Sequence, residues 1–364
     1  MNSSILDNLS EIQKLDSQNM LGSLELLDHQ VEQIAREAKS LVIPSDYRDI
    51  TNVVILGMGG STLGSHVLKS LFADKLLVPV EIVNGYHVPA YVSSKSLVIA
   101  SSYSGTTEEP VAAMQEAVGR NAKILIITSG GALQDEAQKK QLPALIFSTE
   151  NNPCNSPRMG LGYSLVGQML LFSKAGLLSF TAEDIQLFVK AIQKYQGQYR
   201  VSQSTENLEG KTGNYAKQLA QKLQKYTVWY VGAEHLVGNA HIGANQMNEN
   251  AKRFAGYFAI PELNHHLLEG LHYPTSNPDT LAFIFCDSQL YDKRVQKRYQ
   301  VTKQVLGQKK IHYFSYDCQS STPLEQVAEM LVFTSYTSYY TALVEGIDPT
   351  AIPSVDFLKE QLKK

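Results

Sequence analysis

Short runs of wholly apolar residues alternate along this chain with longer segments whose apolar positions recur at helical spacing. The first run, Val53-Val54-Ile55-Leu56, ends in glycines and precedes a helical pattern over 62–72, which predicts a strand, loop, helix unit. The unit recurs. Val80-Glu81-Ile82-Val83, Leu97-Val98-Ile99-Ala100, Ile124-Leu125-Ile126-Ile127 and Ala144-Leu145-Ile146-Phe147 are the next expected strands, with a helix over 107–118. Strands apolar on both faces and separated by helices predict a parallel sheet covered on both sides. Ahead of this series, Leu24, Leu27, Val31, Ile34 and Ala35 predict one or two amphipathic helices within 5–38, a packing arm. Behind it, helices over 161–175 and 182–194 lead into a polar stretch, 196–211, read as the connection between two domains. A second series then begins, with expected strands at Thr227-Val228-Trp229-Tyr230-Val231, Leu281-Ala282-Phe283-Ile284-Phe285 and Ile311-His312-Tyr313-Phe314. Its helices are expected near 236–252, 289–307 and 324–342, and a last helix over 353–362. The division expected is a helical arm (1–48), a first α/β subdomain (49–195), the connection (196–211), a second α/β subdomain (212–345) and a helical tail (346–364).

Length supports two such domains: 364 residues, 43% hydrophobic and 18% charged, suffice for a sizeable core in an ordinary globular protein. A net charge of −3 without a long basic run argues against nucleic acid and against a polybasic membrane surface, so a small molecule is the expected partner. Cys154, Cys286 and Cys318 are far apart and form no CxxC pair, which argues against a disulfide framework and a zinc site and suits a reducing cytoplasm. Neither a signal peptide nor an apolar run of about 18 residues is visible, so a cytoplasmic location is expected.

Two loops carry anion-binding chemistry. Gly57-Met58-Gly59-Gly60-Ser61 ends a strand and opens a helix, where free N–H groups and the helix dipole favour an anion. Gly59 and Gly60 let a ligand approach the backbone, and Ser61 either caps the helix or donates to a phosphate oxygen. A dinucleotide fingerprint fails, because its third glycine falls at Thr62 and its acid at Asn84; no Gly-Lys-Ser/Thr follows for a P-loop. A Gly-rich turn without ligand is the plain alternative. Ser102-Tyr103-Ser104-Gly105-Thr106-Thr107-Glu108-Glu109 gathers hydroxyls at the end of another strand. There the alternative is a capping box of Thr106 with Glu109, which still leaves Ser102, Ser104 and Thr107 for a ligand.

Asn248-Glu249-Asn250-Ala251-Lys252 and Pro261-Glu262-Leu263-Asn264-His265-His266 place a carboxylate and an imidazole a short span apart. Such a pair moves protons. With the two loops it points to proton-transfer chemistry on a phosphorylated small molecule. Glu249 otherwise lies on a solvated helix face, Arg158 otherwise pairs with a surface acid, and neighbouring His265 and His266 in a loop make poor ligands for one metal ion.

These segments, with Thr128-Ser129-Gly130-Gly131-Ala132-Leu133 and Pro157-Arg158, resemble the sugar isomerase (SIS) fold and, within it, the bifunctional phosphoglucose/phosphomannose isomerases of archaea and bacteria. The resemblance spans most of the chain. The serine-rich loops are common to SIS proteins, whereas the segments around Glu249 and His265 are specific to this isomerase group. It implies an α/β architecture of two SIS subdomains, each a parallel sheet between helices in the flavodoxin-like, doubly wound manner, with a sugar phosphate between them and no cofactor or metal. It further implies that Glu249 shuttles a proton between C1 and C2, His265 helps open the sugar ring, and Arg158 stabilises an enediolate. By the same resemblance Lys359 assists ring opening, and Gly59, Gly60, Ser61, Ser102, Ser104 and Thr107 surround the substrate. A homodimer is implied, with His265 reaching the neighbouring subunit's site. Departures fall at His266-Leu267-Leu268-Glu269, at Ile242-Gly243-Ala244 and at Thr62, and leave the epimer preference open. The expected function is interconversion of glucose 6-phosphate, and of mannose 6-phosphate, with fructose 6-phosphate through a cis-enediol. The alternatives are a sugar-phosphate-binding regulator without turnover, for which no helix-turn-helix or basic segment is found, or an isomerase of another phosphosugar.

Overall fold

The computed structural model describes residues 3–207 and 213–362. A 3-10 turn at Ser3–Asp7 leads into α1 (Leu9–Leu15), α2 (Met20–Glu25) and α3 (Leu27–Glu37). The arm is therefore three α-helices rather than one or two. Asn8 accepts the Ser10 and Glu11 amides to start α1, and Asp16 and Asn19 accept those of Met20, Leu21 and Gly22 to start α2. Local capping thus breaks a periodicity that reads as continuous. Two polar residues tie α3 inward: Gln30 donates to the Asn151 and Met159 carbonyls, and Gln33 to that of Ser148.

The first sheet follows as β1 (Asn52–Leu56), α4 (Gly60–Leu71), β2 (Val80–Val83), β3 (Ser96–Ser102), α5 (Glu108–Gly119), β4 (Lys123–Thr128), α6 (Gly131–Lys140) and β5 (Ala144–Ile146). All pairings are parallel in the order β2-β1-β3-β4-β5, the flavodoxin-like order. Strands β1 and β3 meet at the switch point, so the loops after Leu56 and Ser102 leave the same carboxyl edge side by side.

Helices α7 (Leu161–Lys174) and α8 (Ala182–Tyr199) cross to the second half. Helix α8 runs five residues past the expected end at 194, because Tyr195 and Tyr199 turn into the core. The start of the expected connection is thus helical, and its part at 208–211 lies outside the described residues.

The second half contains α9 (Tyr215–Lys222), β6 (Thr227–Ala233), α10 (Val237–Glu249), β7 (Ala255–Ile260), α11 (Leu263–Gly270), α12 (Asn277–Thr280), β8 (Leu281–Asp287), α13 (Lys293–Gln308), β9 (His312–Asp317), α14 (Pro323–Val344) and α15 (Pro353–Leu362). Its sheet is parallel in the order β7-β6-β8-β9. Strand β7 was not expected. It is an edge strand with half-buried Tyr257 and Phe258, so it shows neither the alternation nor the full burial that marks a strand in sequence.

One hydrophobic cluster takes in residues of both sheets, and a smaller one lies beneath α5 and α6. Each fully buried Val, Leu, Ile or Phe contributes roughly 1.5–3 kcal/mol. Helix α14 is buried on nearly every side, including Thr334, Thr337, Ser338 and Thr341, whose hydroxyls donate back to carbonyls one turn earlier. That self-satisfaction lets a hydroxyl-rich helix occupy the middle of the molecule. No helix among the described residues is long and apolar enough to cross a membrane.

Candidate active site

The glycine loop after β1 is set by two backbone requirements. Gly59 adopts φ +49° with ψ −127°, a region that side chains disfavour. A Cβ on Gly60 would stand 2.9 Å from the Arg158 nitrogen and the Pro157 carbonyl carbon, so only glycine lets the 157–158 turn close on the start of α4. Ser61 does not cap α4. Its hydroxyl accepts the Tyr103 amide at 2.9 Å, while Ser101 Oγ and Gln168 Nε2 both donate to its carbonyl. The glycine loop and the hydroxyl-rich loop are therefore stitched together.

In the second loop the alternative reading, a capping box of Thr106 with Glu109, is not formed. Thr107 occupies the cap position of α5 without a side-chain cap bond, and its hydroxyl instead lies 3.1 Å from Ser102 Oγ. Ser104 pairs with Thr106, also at 3.1 Å, and Ser102 accepts the Gly105 amide. Ser104 and Thr106 are exposed, and the first-turn amides of α5 have no side-chain acceptor at the cap, as an anion site requires.

Arg158 and Glu249 meet between the two halves. Arg158 Nη1 donates to Glu249 Oε2 at 3.3 Å, and the arginine side chain is 1% exposed against 33% for the glutamate. The plain alternative for Arg158, a pairing with a surface acid, does not hold: the guanidinium is buried, and the acid it faces is Glu249. Nε donates to Asn250 Oδ1 at 2.6 Å, and Nη2 to the carbonyls of Pro349 and Thr350 at 3.2 and 2.8 Å. Of the five guanidinium N–H groups these contacts use four, so one Nη1 hydrogen is left beside Glu249. Burial lowers the Arg158 pKa, and the Glu249 carboxylate is the chief opposing influence.

The asparagines beside Glu249 hold it at the end of α10. Asn248 donates to the carbonyls of Ala244 and Ala255 and accepts the Ala255 amide, fixing the turn into β7. Asn250, besides receiving Arg158, donates to Ser338 on α14, and Gln246 donates to the Arg158 carbonyl and to Ser335. Sequence reasoning missed Gln246, the 349–350 carbonyls and Lys252, whose Nζ donates to the carbonyls of Asn250 and Asp348. For Lys252 the signal was its place three residues after Glu249; for distant backbone carbonyls the sequence holds none.

Two expected site residues are not brought to this cluster within one chain. His265 lies on α11, a helix where a loop was expected, and is exposed; among the described residues its side chain makes no hydrogen bond or ion pair. Lys359 lies on α15, exposed and equally without such a partner.

Comparison with known proteins places this arrangement. A family model described as the bacterial phospho-glucose isomerase C-terminal SIS domain matches residues 212–362, and an SIS domain model matches 46–148. A hypothetical protein from Thermus thermophilus has the same fold, with a TM-score of 0.73 at 16% identity over 100% of this chain and 94% of its own. The bifunctional phosphoglucose/phosphomannose isomerase of Thermoplasma acidophilum is 28% identical over 86% of this chain and 90% of its own length. The one from Caldicellulosiruptor bescii is 32% identical over 94% of this chain and 98% of its own length. With two parallel sheets of SIS type and that identity along nearly its whole length, the chain belongs to the bifunctional phosphoglucose/phosphomannose isomerase family.

Proposed function

We propose that this chain is an aldose–ketose isomerase that interconverts glucose 6-phosphate and mannose 6-phosphate with fructose 6-phosphate through a cis-enediol. The observation that carries the reading is the Glu249 carboxylate, held against buried Arg158 beside the glycine loop in a chain of this family. In the open-chain aldose Glu249 takes the C2 proton, the C–H pair becomes the C1–C2 double bond, and the carbonyl pair moves onto O1. The remaining Nη1 hydrogen of Arg158 and its fixed charge stabilise that oxyanion. A proton passes from the O2 hydroxyl to O1, the O2 electron pair then forms the ketone carbonyl, and the C1–C2 double-bond pair takes the proton back from Glu249 at C1. The enediol is planar at C2, so the glucose and mannose epimers share one intermediate and one base.

Gly59, Gly60 and Ser61 line the sugar, and Ser102, Ser104 and Thr107 hold the phosphate through hydroxyls and the α5 amides. The two halves, divided near 196–211, close around it, and no cofactor or metal enters the scheme. The active form is a homodimer in which His265 crosses to the neighbouring subunit and, with Lys359, opens the ring. Supporting this are the exposed His265 and the exposed apolar face of α15, where Phe357, Leu358 and Leu362 are 63, 55 and 67% exposed. Unpaired cysteines and hexose phosphate substrates suit a cytoplasmic enzyme of glycolysis or gluconeogenesis.

The test is proton exchange in D₂O, with purified protein and fructose 6-phosphate followed by NMR. Deuterium at C2 of both glucose and mannose 6-phosphate is the expected result. Label in the glucose epimer alone narrows the substrate range; tight binding with neither product nor exchange overturns turnover in favour of a sensor.

A further inference from the structure

Lys252 stands just past the end of α10, and its backbone is left-handed, with φ +51°. That conformation is uncommon for a lysine and is the one glycine adopts without steric cost at helix ends. The strained residue sends its side chain back toward the site. Nζ donates to Asn250 O at 3.1 Å and to Asp348 O at 2.6 Å. Asp348 begins a strap between α14 and α15 whose next two carbonyls, of Pro349 and Thr350, accept from Arg158 Nη2. Three consecutive carbonyls thus converge on two cations. On its far side the strap is fixed by Ser17, whose hydroxyl donates to Asp348 Oδ2 at 2.5 Å, and by the Thr350 amide donating to Asp348 Oδ1.

We propose that Lys252 is a positioning residue for the isomerisation, an inference that rests on the function above: its ammonium locks the 348–350 strap onto Arg158 and so keeps the Arg158–Glu249 pair in place at the Gly60 loop. The charged groups around it are Arg158 on the 157–159 turn, Glu249 on α10 and Asp348 in the strap. Lys225, Arg253 and Glu345 line a cleft together with it. Partial burial, then the Arg158 charge, lower its pKa to about 8, against the pull of Asp348 and Glu249. Below that pH the Lys252 bonds to the Asp348 carbonyl of the strap and to the Asn250 carbonyl are charge-assisted; above it the amine is neutral and they weaken. Turnover therefore declines as pH rises through about 8.

The experiment compares full-length Lys252→Gly, Lys252→Gln and Lys252→Arg in kcat, KM, pH profile and Tm. Glycine relieves the left-handed strain, so Tm holds or rises, yet kcat falls about tenfold or more with KM within about threefold, and the alkaline decline disappears. Arginine, which stays charged, recovers most of kcat and moves the decline to higher pH. Amide exchange of 348–350, which needs no turnover, quickens in the glycine and glutamine variants. Wild-type kcat and alkaline decline in Lys252→Gly overturn the proposal; should that variant fold poorly, equal kcat in Lys252→Gln and Lys252→Arg does so. If these variants behave as wild type while Glu249→Gln is inactive, this inference alone falls. A wild-type chain without turnover removes the isomerase reading and this one with it.

Discussion

At Glu249 a single carboxylate is bonded directly by Arg158, while three further neighbours act on its surroundings: Asn248 fixes the turn, and Asn250 and Gln246 anchor Arg158. Replacing Glu249 by Gln keeps shape and hydrogen bonding but removes the proposed base. The expected outcome is a fall in kcat of roughly two to four orders of magnitude, with fructose 6-phosphate binding and Tm retained, read by steady-state kinetics and calorimetry. A variant that turns over normally would end the proton-shuttle assignment. Glu249, Arg158 and the loop glycines could be singled out in sequence as candidates because their local patterns are short, and the structure brings them together. The hydrogen-bonding partners of Arg158 were not, since they lie about ninety and about two hundred residues away in the chain, and several are plain backbone carbonyls.

Helices α4 and α10 join the two halves of the molecule, and their close approach depends on Gly238. A Cβ there would meet Val67 Cα at 2.5 Å and its nitrogen at 2.6 Å, both backbone atoms that cannot turn aside. Gly238→Ala should destabilise the chain by about 1–3 kcal/mol, visible as a lower urea midpoint, and should lower kcat by shifting α10 under Glu249. The same seam holds His66 and His241, edge to face at 4.5 Å, with His241 stacked on Tyr257. Burial, then the His66 ring, lower the His241 pKa from 6.5 to about 4, and burial and Lys69 lower that of His66. Both rings are thus harder to protonate in the fold than in the unfolded chain, which binds more protons between pH 6.5 and about 4. Stability falls as pH drops through that window and is regained as it rises. Urea midpoints measured across the window should show that slope, and His241→Asn should flatten it. Strong patterns such as β1, β3 and α14 were read correctly at this scale, whereas β7 escaped because a half-buried edge strand containing Gly256 carries no clear period.

For the whole molecule, the proposed dimer makes a sharp prediction. Glu249→Gln and His265→Ala chains, each inactive alone, recover activity when mixed, since every mixed dimer contains one site with both native residues. Equal amounts with free exchange should reach about a quarter of wild-type activity. No recovery, with exchange shown by light scattering or labelled chains, would place both residues in one subunit's site.

The sequence by itself determined the layer architecture, because apolar runs and helical periodicity depend on neighbours a few residues apart, and it marked the loops proposed here to bind the sugar phosphate, because glycines and hydroxyls are read locally. Only the tertiary structure decided that Arg158 is buried against Glu249, that Ser61 binds Tyr103 instead of capping α4, and that a lysine past α10 grips a strap from the far end of the chain. Those outcomes are set by which groups burial leaves in need of a partner, and the partner is chosen by distance in space, which the order of residues does not encode locally.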